Sequence, residues 1–175
     1  MTTPFVATDI GDQEGLRLAA YPDPLSPRAQ AMAMALAKRP AGWTKLSGAP
    51  WSIGYGHTGP EVHEGLVWTE AQAIAARNAD IALRIALLDR VLTWWRTLND
   101  PRQDVLVSLV FNMGWDNPRT PAHEGLSGFG PTLELIHGGQ FEAAGDHLAA
   151  SLWARQTKTR ATRLIAQLRT GQRAA

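Results

Sequence analysis

Cysteine is absent from all 175 residues, which removes disulfide frameworks, zinc–thiolate sites and thiol nucleophiles from consideration. No run of about 18 apolar residues occurs, so no segment reads as a membrane span. The opening MTTPFVATDIGDQEG has no basic stretch leading into an apolar one and does not read as a secretory signal. Charge is sparse as well. Asp, Glu, Lys and Arg make up 19% of the chain and leave a net charge of +1, which says little about partners. Acids are missing from residues 155–173, where Arg155, Lys158, Arg160, Arg163, Arg169 and Arg173 stand together. Such a run is more often a solvated helix face than an anion-binding surface. Metal-ligand spacing is missing too: His57 and His63 are six apart across a Gly-Pro turn, and the other histidines are scattered.

What remains is a globular composition. Apolar residues account for 45% of the chain, enough to bury a core, and the length fits one compact domain or two lobes sharing a core. Residues 4–13 read as a short helix ended by Gly15, and Leu16–Tyr21 as a strand of period two. Ser26-Pro27 reads as an N-cap with proline at the first helical position, opening a helix over 28–39 that Pro40 stops. WSIGYGH at 51–57 alternates again, with glycines that permit tight turns or a close ligand.

From Thr69 the period lengthens to about 3.6. Thr69 and Gln72 form a capping-box pattern ahead of a helix reaching about Trp94, with Ile74, Ile81, Ile85 and Leu88 on one face. Asp100-Pro101 starts another, with Val105, Leu109 and Met113 as its apolar stripe and Gly114 at its end. Further helices are expected over 131–137, 140–150 and 158–169, with Gly171 as the last stop. Strands early and helices late make the expected class α+β.

Two carboxylates sit at the ends of the first strand, Glu14 just before Gly15 and Asp23 nine residues on. Glycosidic cleavage needs such a pair, one protonated to assist the leaving oxygen and one ionised to activate water or attack carbon. Spacing alone is a weak signal, since a helix-end acid and a turn aspartate are common. His57 titrates near neutrality, but nothing supplies the nucleophile and orienting acid of a triad. A ring that pins the hairpin by a hydrogen bond is the better reading for it.

EGLRLAAYPD at 14–23 and WSIGYGHT at 51–58 together resemble the signature of phage-type lysozymes, glycoside hydrolase family 24. VLVSLVFNMG at 105–114 looks like that family's central buried helix, and residues 128–171 are similar to its C-terminal helices. The three blocks stand in the family's order. The resemblance implies a single lysozyme-like domain over 1–175. Its small β-hairpin lobe would cover 14–68, with a helical insertion at about 24–50. A long helix near 69–94 would join it to a helical lobe spanning 69–175, with the substrate cleft between the lobes.

The resemblance also implies cleavage of the β-1,4 bond between N-acetylmuramic acid and N-acetylglucosamine in peptidoglycan, with inversion and without a cofactor. It makes Glu14 the general acid, Asp23 the base or electrostatic partner, and Ser52 the hydroxyl that helps hold the attacking water. Gly54 and Tyr55 become sugar-binding candidates, as do Phe111 and Asn112. His57 fixes the turn, Ile53 packs inward, and Arg160 matches a family position close to the catalytic glutamate. The expected partners are the glycan strands, with a holin needed for release. A soluble monomer is expected, held in the host cytoplasm until lysis, without nucleic acid and without stable membrane insertion.

Two departures from the family pattern matter. Position 52 is usually threonine, and here the methyl that restricts the rotamer is gone. A short connection usually joins the aspartate to this hydroxyl, whereas residues 24–51 intervene here. A hairpin loop lengthens at modest entropic cost, so its ends need not move. The insertion helix is expected to pack Met32 and Leu36 on the sheet, to border the cleft and contact glycan or peptide stems, or to meet anionic lipopolysaccharide or phospholipid. Competing functions are a lytic transglycosylase, which needs no base carboxylate, and a catalytically silent peptidoglycan-binding protein, which would not need Glu14. A secreted antibacterial toxin is the third.

Overall fold

The structure is a computed structural model that describes residues 4–116 and 125–173. Its elements run in the order α1 (Pro4–Glu14), β1 (Arg17–Pro22), α2 (Pro27–Ala33), β2 (Trp51–Gly54), α3 (Glu70–Val91), α4 (Asp100–Met113), α5 (Gly130–His137), α6 (Phe141–Ala150), α7 (Leu152–Thr157) and α8 (Thr159–Thr170). The class is α+β, as expected. The packing divides into two compact units, one of residues 9–80 and the other of 1–8 with 81–175. The dividing point lies inside α3.

In the unit of residues 9–80, β1 pairs antiparallel with β2, placing Arg17 opposite Gly54, Tyr21 opposite Ser52 and Pro22 opposite Trp51. Residues 18–20 therefore stand against Ile53 alone, a bulge that breaks the expected period-two burial of β1. The other edge of β1 is held by segment 66–68, with the Ala20 amide donating to Leu66 O (2.9 Å) and the Trp68 amide to Leu18 O (2.8 Å). Ile53 is fully buried, as expected of an inward-facing residue.

The first half of α3 belongs to this unit for visible reasons. Thr69 and Gln72 make the reciprocal capping box: the Thr69 amide donates to Gln72 Oε1 (2.8 Å), and the Gln72 amide to Thr69 Oγ1 (3.2 Å). Ala73 is buried, and Arg77 places its guanidinium 4.8 Å from the Tyr55 ring centre.

The insertion departs most from expectation. Ser26 caps α2 as read, its Oγ accepting from the Ala29 amide (3.1 Å), but the helix ends at Ala33. Met34 turns extended, and a short 3-10 turn over Leu36–Lys38 replaces the rest of the expected helix. Only Ala31 of α2 is buried, so little apolar burial was available to carry a helix further. Arg39 folds back, donating from Nε to Met34 O (3.1 Å) and from Nη2 to Met32 O (2.8 Å), which satisfies carbonyls at the helix end. Met32 and Leu36 do not pack on the sheet; they are 49% and 76% exposed. The insertion closes on itself instead. Arg28 donates to Leu46 O (2.8 Å), and a second 3-10 turn, Trp43–Lys45, lies against α2.

In the unit of 1–8 and 81–175, α4 is the core. Residues 104–110 are all buried, so the helix is enclosed on every side rather than along the single stripe read from its periodicity. Asn99 caps its start, with Pro101 in the first turn, and Gly114 ends it at φ +75°. Its first turn also closes α8: Arg102 donates to Leu168 O (2.8 Å) and Arg169 O (2.9 Å), and Asn99 Nδ2 to Gly171 O (2.9 Å). These carbonyls have no partner within α8, so the end of α8 depends on the first turn of α4. The buried Asp104 carboxylate accepts from Nε of Arg173 (3.1 Å) and pairs with its Nη2 at 3.0 Å.

Two helix boundaries also differ from expectation. α3 stops at Val91 and not near Trp94, because Trp95 turns into the core with its Nε1 donating to Asp89 (2.8 Å), while Trp94 stacks on His137. α7 was not foreseen. Ser151 caps it, accepting from the Ala154 amide, and Lys158 at φ +42° separates it from α8. Leu106 is fully buried at the centre of α4. Its replacement by Ala is expected to cost about 2–5 kcal/mol, read as a lower urea midpoint with unchanged slope.

Candidate active site

Helix α1 ends on Glu14, and Gly15 at φ +70° turns the chain into β1, a conformation that favours glycine. Glu14 therefore stands at one end of β1, half-exposed, and Asp23 just beyond the other. Asp23 is held from several sides. Its Oδ1 accepts from the Leu25 amide (2.8 Å), an Asx turn, and its Oδ2 accepts from Ser52 Oγ (3.1 Å). Its own amide donates to Pro50 O (2.9 Å), and its carbonyl accepts from the Ser26 amide (2.8 Å). The long connection between Asp23 and Ser52 thus leaves the two side chains in direct contact. Ser52 is buried, with its hydroxyl engaged by Asp23.

Tyr21 lies within the 14–23 motif but was not among the candidate site residues, yet it belongs to this group. It lies opposite Ser52 in the ladder, and the Arg17 guanidinium covers its ring at 4.5 Å. Burial raises the pKa of its phenol. Arg17 and a hydrogen bond with Ser52 act against that rise, and the charges of Asp23 and Glu14 add to it. One phenol therefore feels both candidate carboxylates. The signal was available: residues two apart in a strand share a face, so Tyr21 accompanies Asp23.

Gly54 is buried at φ +66°, and a Cβ there would stand 3.3 Å from both Ala73 Cβ and the Trp68 ring, so glycine is needed for backbone and packing alike. Tyr55 is half-buried with Arg77 on one face. His57 closes the turn: its amide donates to Ile53 O (2.9 Å) and its carbonyl accepts from the Ile53 amide (3.0 Å). Its ring lies between two carboxylates, Nδ1 at 2.8 Å from Asp80 and Nε2 at 2.7 Å from Glu61. Neither acid was picked out from the sequence.

The remaining candidates lie in the unit of 81–175. Phe111 is half-buried near the end of α4, and the exposed Asn112 accepts through Oδ1 from Trp153 Nε1 (2.9 Å), which ties α4 to α7. Arg160 is half-buried in the first turn of α8. An open depression lined by Pro131, Glu134, Gln140 and His147 contains none of the residues read as catalytic. Among the described residues no group of His, Asp and Glu is arranged to hold a metal ion, and no helix is long and apolar enough to cross a membrane.

Burial disfavours the charged His57 ring, but the hydrogen bonds and charges of Glu61 and Asp80 outweigh it and raise its pKa. Stability from this site is therefore fully present below the ordinary histidine value of about 6.5 and is lost as pH rises through the higher folded value. His57→Gln should destabilise the chain more at about pH 5.5 than at about pH 9, measured by urea unfolding at both. An equal cost at both would show that the ring acts only by packing.

Against known families, a family model described as phage lysozyme matches residues 11–167. The match takes in Glu14, Asp23, Ser52 and the whole of the insertion between them.

Proposed function

The chain belongs to the phage lysozyme family, and from that premise we propose that it is an inverting muramidase. It hydrolyses the β-1,4 bond between N-acetylmuramic acid and N-acetylglucosamine in peptidoglycan and acts as an endolysin in host cell lysis. A holin releases it from the cytoplasm to the wall. The observation that carries this reading is the Ser52–Asp23 hydrogen bond at one end of a strand whose other end bears Glu14.

In this mechanism Glu14 is protonated and gives its proton to the glycosidic oxygen as the bond to the anomeric carbon breaks. Asp23 stays ionised and takes a proton from the water that attacks that carbon from the opposite face. Both Asp23 oxygens already accept a hydrogen bond, one from Ser52 and one from Leu25. The carboxylate therefore meets that water in a fixed orientation, with lone pairs still open to it. Ser52 donates to Asp23 and can accept from the same water. Tyr21, in contact with this group, supports the strand face on which it sits. Gly54 and Tyr55 on the adjoining turn contact the sugar.

Clearing of purified peptidoglycan, followed by mass analysis of the fragments, tests the reading. Wild type should clear the suspension and leave reducing muramic acid ends, while Glu14→Gln should be slower by about 10²–10⁴-fold. Anhydro ends would replace hydrolysis by transglycosylation, and no clearing by wild type would leave a binding protein. Ser52→Ala should lose roughly ten- to a hundredfold in rate through a less ordered Asp23, and Ser52→Thr should lose little. Equal rates for Ser52→Ala and wild type would remove Ser52 from the mechanism.

A further inference from the structure

The insertion carries a surface that neither the reaction nor the core uses. Every residue from Met32 to Lys38 is exposed, and the first six, Met32-Ala33-Met34-Ala35-Leu36-Ala37, are apolar. Met34 is 43% exposed and Leu36 76%, with Leu25 nearby in sequence at 50%. Consecutive exposed apolar residues are uncommon in a water-soluble fold unless something covers them. The run is also held in place, since Arg39 binds the carbonyls of Met32 and Met34 while its guanidinium lies 4.8 Å from the Trp43 ring centre.

Charge narrows the occupant. Residues 24–50 contain Arg28, Lys38, Arg39 and Lys45 and no acid. Arg28 is paired with Glu64 at 2.7 Å, which leaves Lys38, Arg39 and Lys45 as a basic flank to the apolar run. Two copies meeting through this surface would bring like charges together. Met, Ala and Leu side chains offer no donor or acceptor to sugar hydroxyls, so a glycan strand is a poor match. An apolar tip with a basic flank and a tryptophan fits the headgroup region of an anionic bilayer, where short apolar side chains enter the acyl boundary and cations meet phosphate.

We propose that the segment 32–45 docks this protein on anionic phospholipid membranes, with Met32, Met34 and Leu36 entering the interface and Lys38, Arg39 and Lys45 meeting the headgroups. The docking needs no catalytic residue and stands apart from the hydrolase reading.

Co-sedimentation of the full chain with vesicles tests it. Vesicles of phosphatidylglycerol with phosphatidylethanolamine should retain the wild type at least about tenfold better than phosphatidylcholine vesicles, and added salt should weaken the retention. Lys38→Glu with Lys45→Glu should lower binding to the anionic vesicles by about tenfold or more. Met32→Ser, Met34→Ser and Leu36→Ser together should lower it by a similar factor while the circular dichroism spectrum and unfolding midpoint stay unchanged, because all three side chains are exposed. Wild-type retention equal on both vesicle types, or unchanged binding of the triple variant, would overturn the proposal. So would finding that the triple variant loses binding to purified sacculi, or loses a concentration-dependent dimer, in place of vesicle binding.

Discussion

The antiparallel pairing of β1 with β2 is the constraint on which the candidate site depends. Tyr21 and Ser52 are opposite each other in the ladder, and the hydrogen bond from Ser52 to Asp23 follows from that register. A slip of one residue would turn Ser52 away from this face and bring Ile53, now fully buried, out of the core. Register is therefore fixed from both sides of the strand. The bulge opposite Ile53 and the second pairing of β1 with segment 66–68 add to the restraint. His57 secures the end of the turn by exchanging backbone hydrogen bonds with Ile53 and by reaching Asp80 on α3.

Because register is set at the strands, the connection between them is free to vary. Residues 24–50 enter and leave next to each other, with the Asp23 amide on Pro50 O and the Arg28 amide on Ser47 O. Loop length costs entropy only slowly, and the insertion recovers contacts of its own between α2 and the Trp43–Lys45 turn. The same self-sufficiency leaves its apolar tip uncovered, since Ala31 is the only side chain of α2 that is buried.

The unit of 81–175 is organised differently, around one helix enclosed on all sides. Burial on every side of α4 demands neighbours, and the first turn of α4 supplies the hydrogen-bond partners that the end of α8 lacks. Two of its buried polar side chains are held across the unit: Asp104 by Arg173, and Gln167 by donating to Pro101 O at 2.8 Å. Asn112, read as a sugar contact, has its amide oxygen accepting from Trp153, which fixes the orientation of its NH₂ group.

Local chemistry was legible without the fold. The Ser26-Pro27 start, the Thr69–Gln72 capping box, the Asp100-Pro101 start and the Gly114 and Gly171 stops each rest on contacts within a few residues, and each stands where the residues placed it. The family and the α+β class were legible from ordered motifs for a related reason, since Glu14, Asp23 and Ser52 come with the glycines their backbone requires. Only the tertiary structure decided what depends on distant partners. Repeated apolar residues over 28–39 suggested a long helix, but with nothing to bury them the chain turned extended at Met34. Trp95 ended α3 early because the core offered it a place and Asp89 a hydrogen-bond acceptor. Asp80 stood out only once α3 brought it to His57, because which side chains meet across a fold is set by packing and not by local sequence.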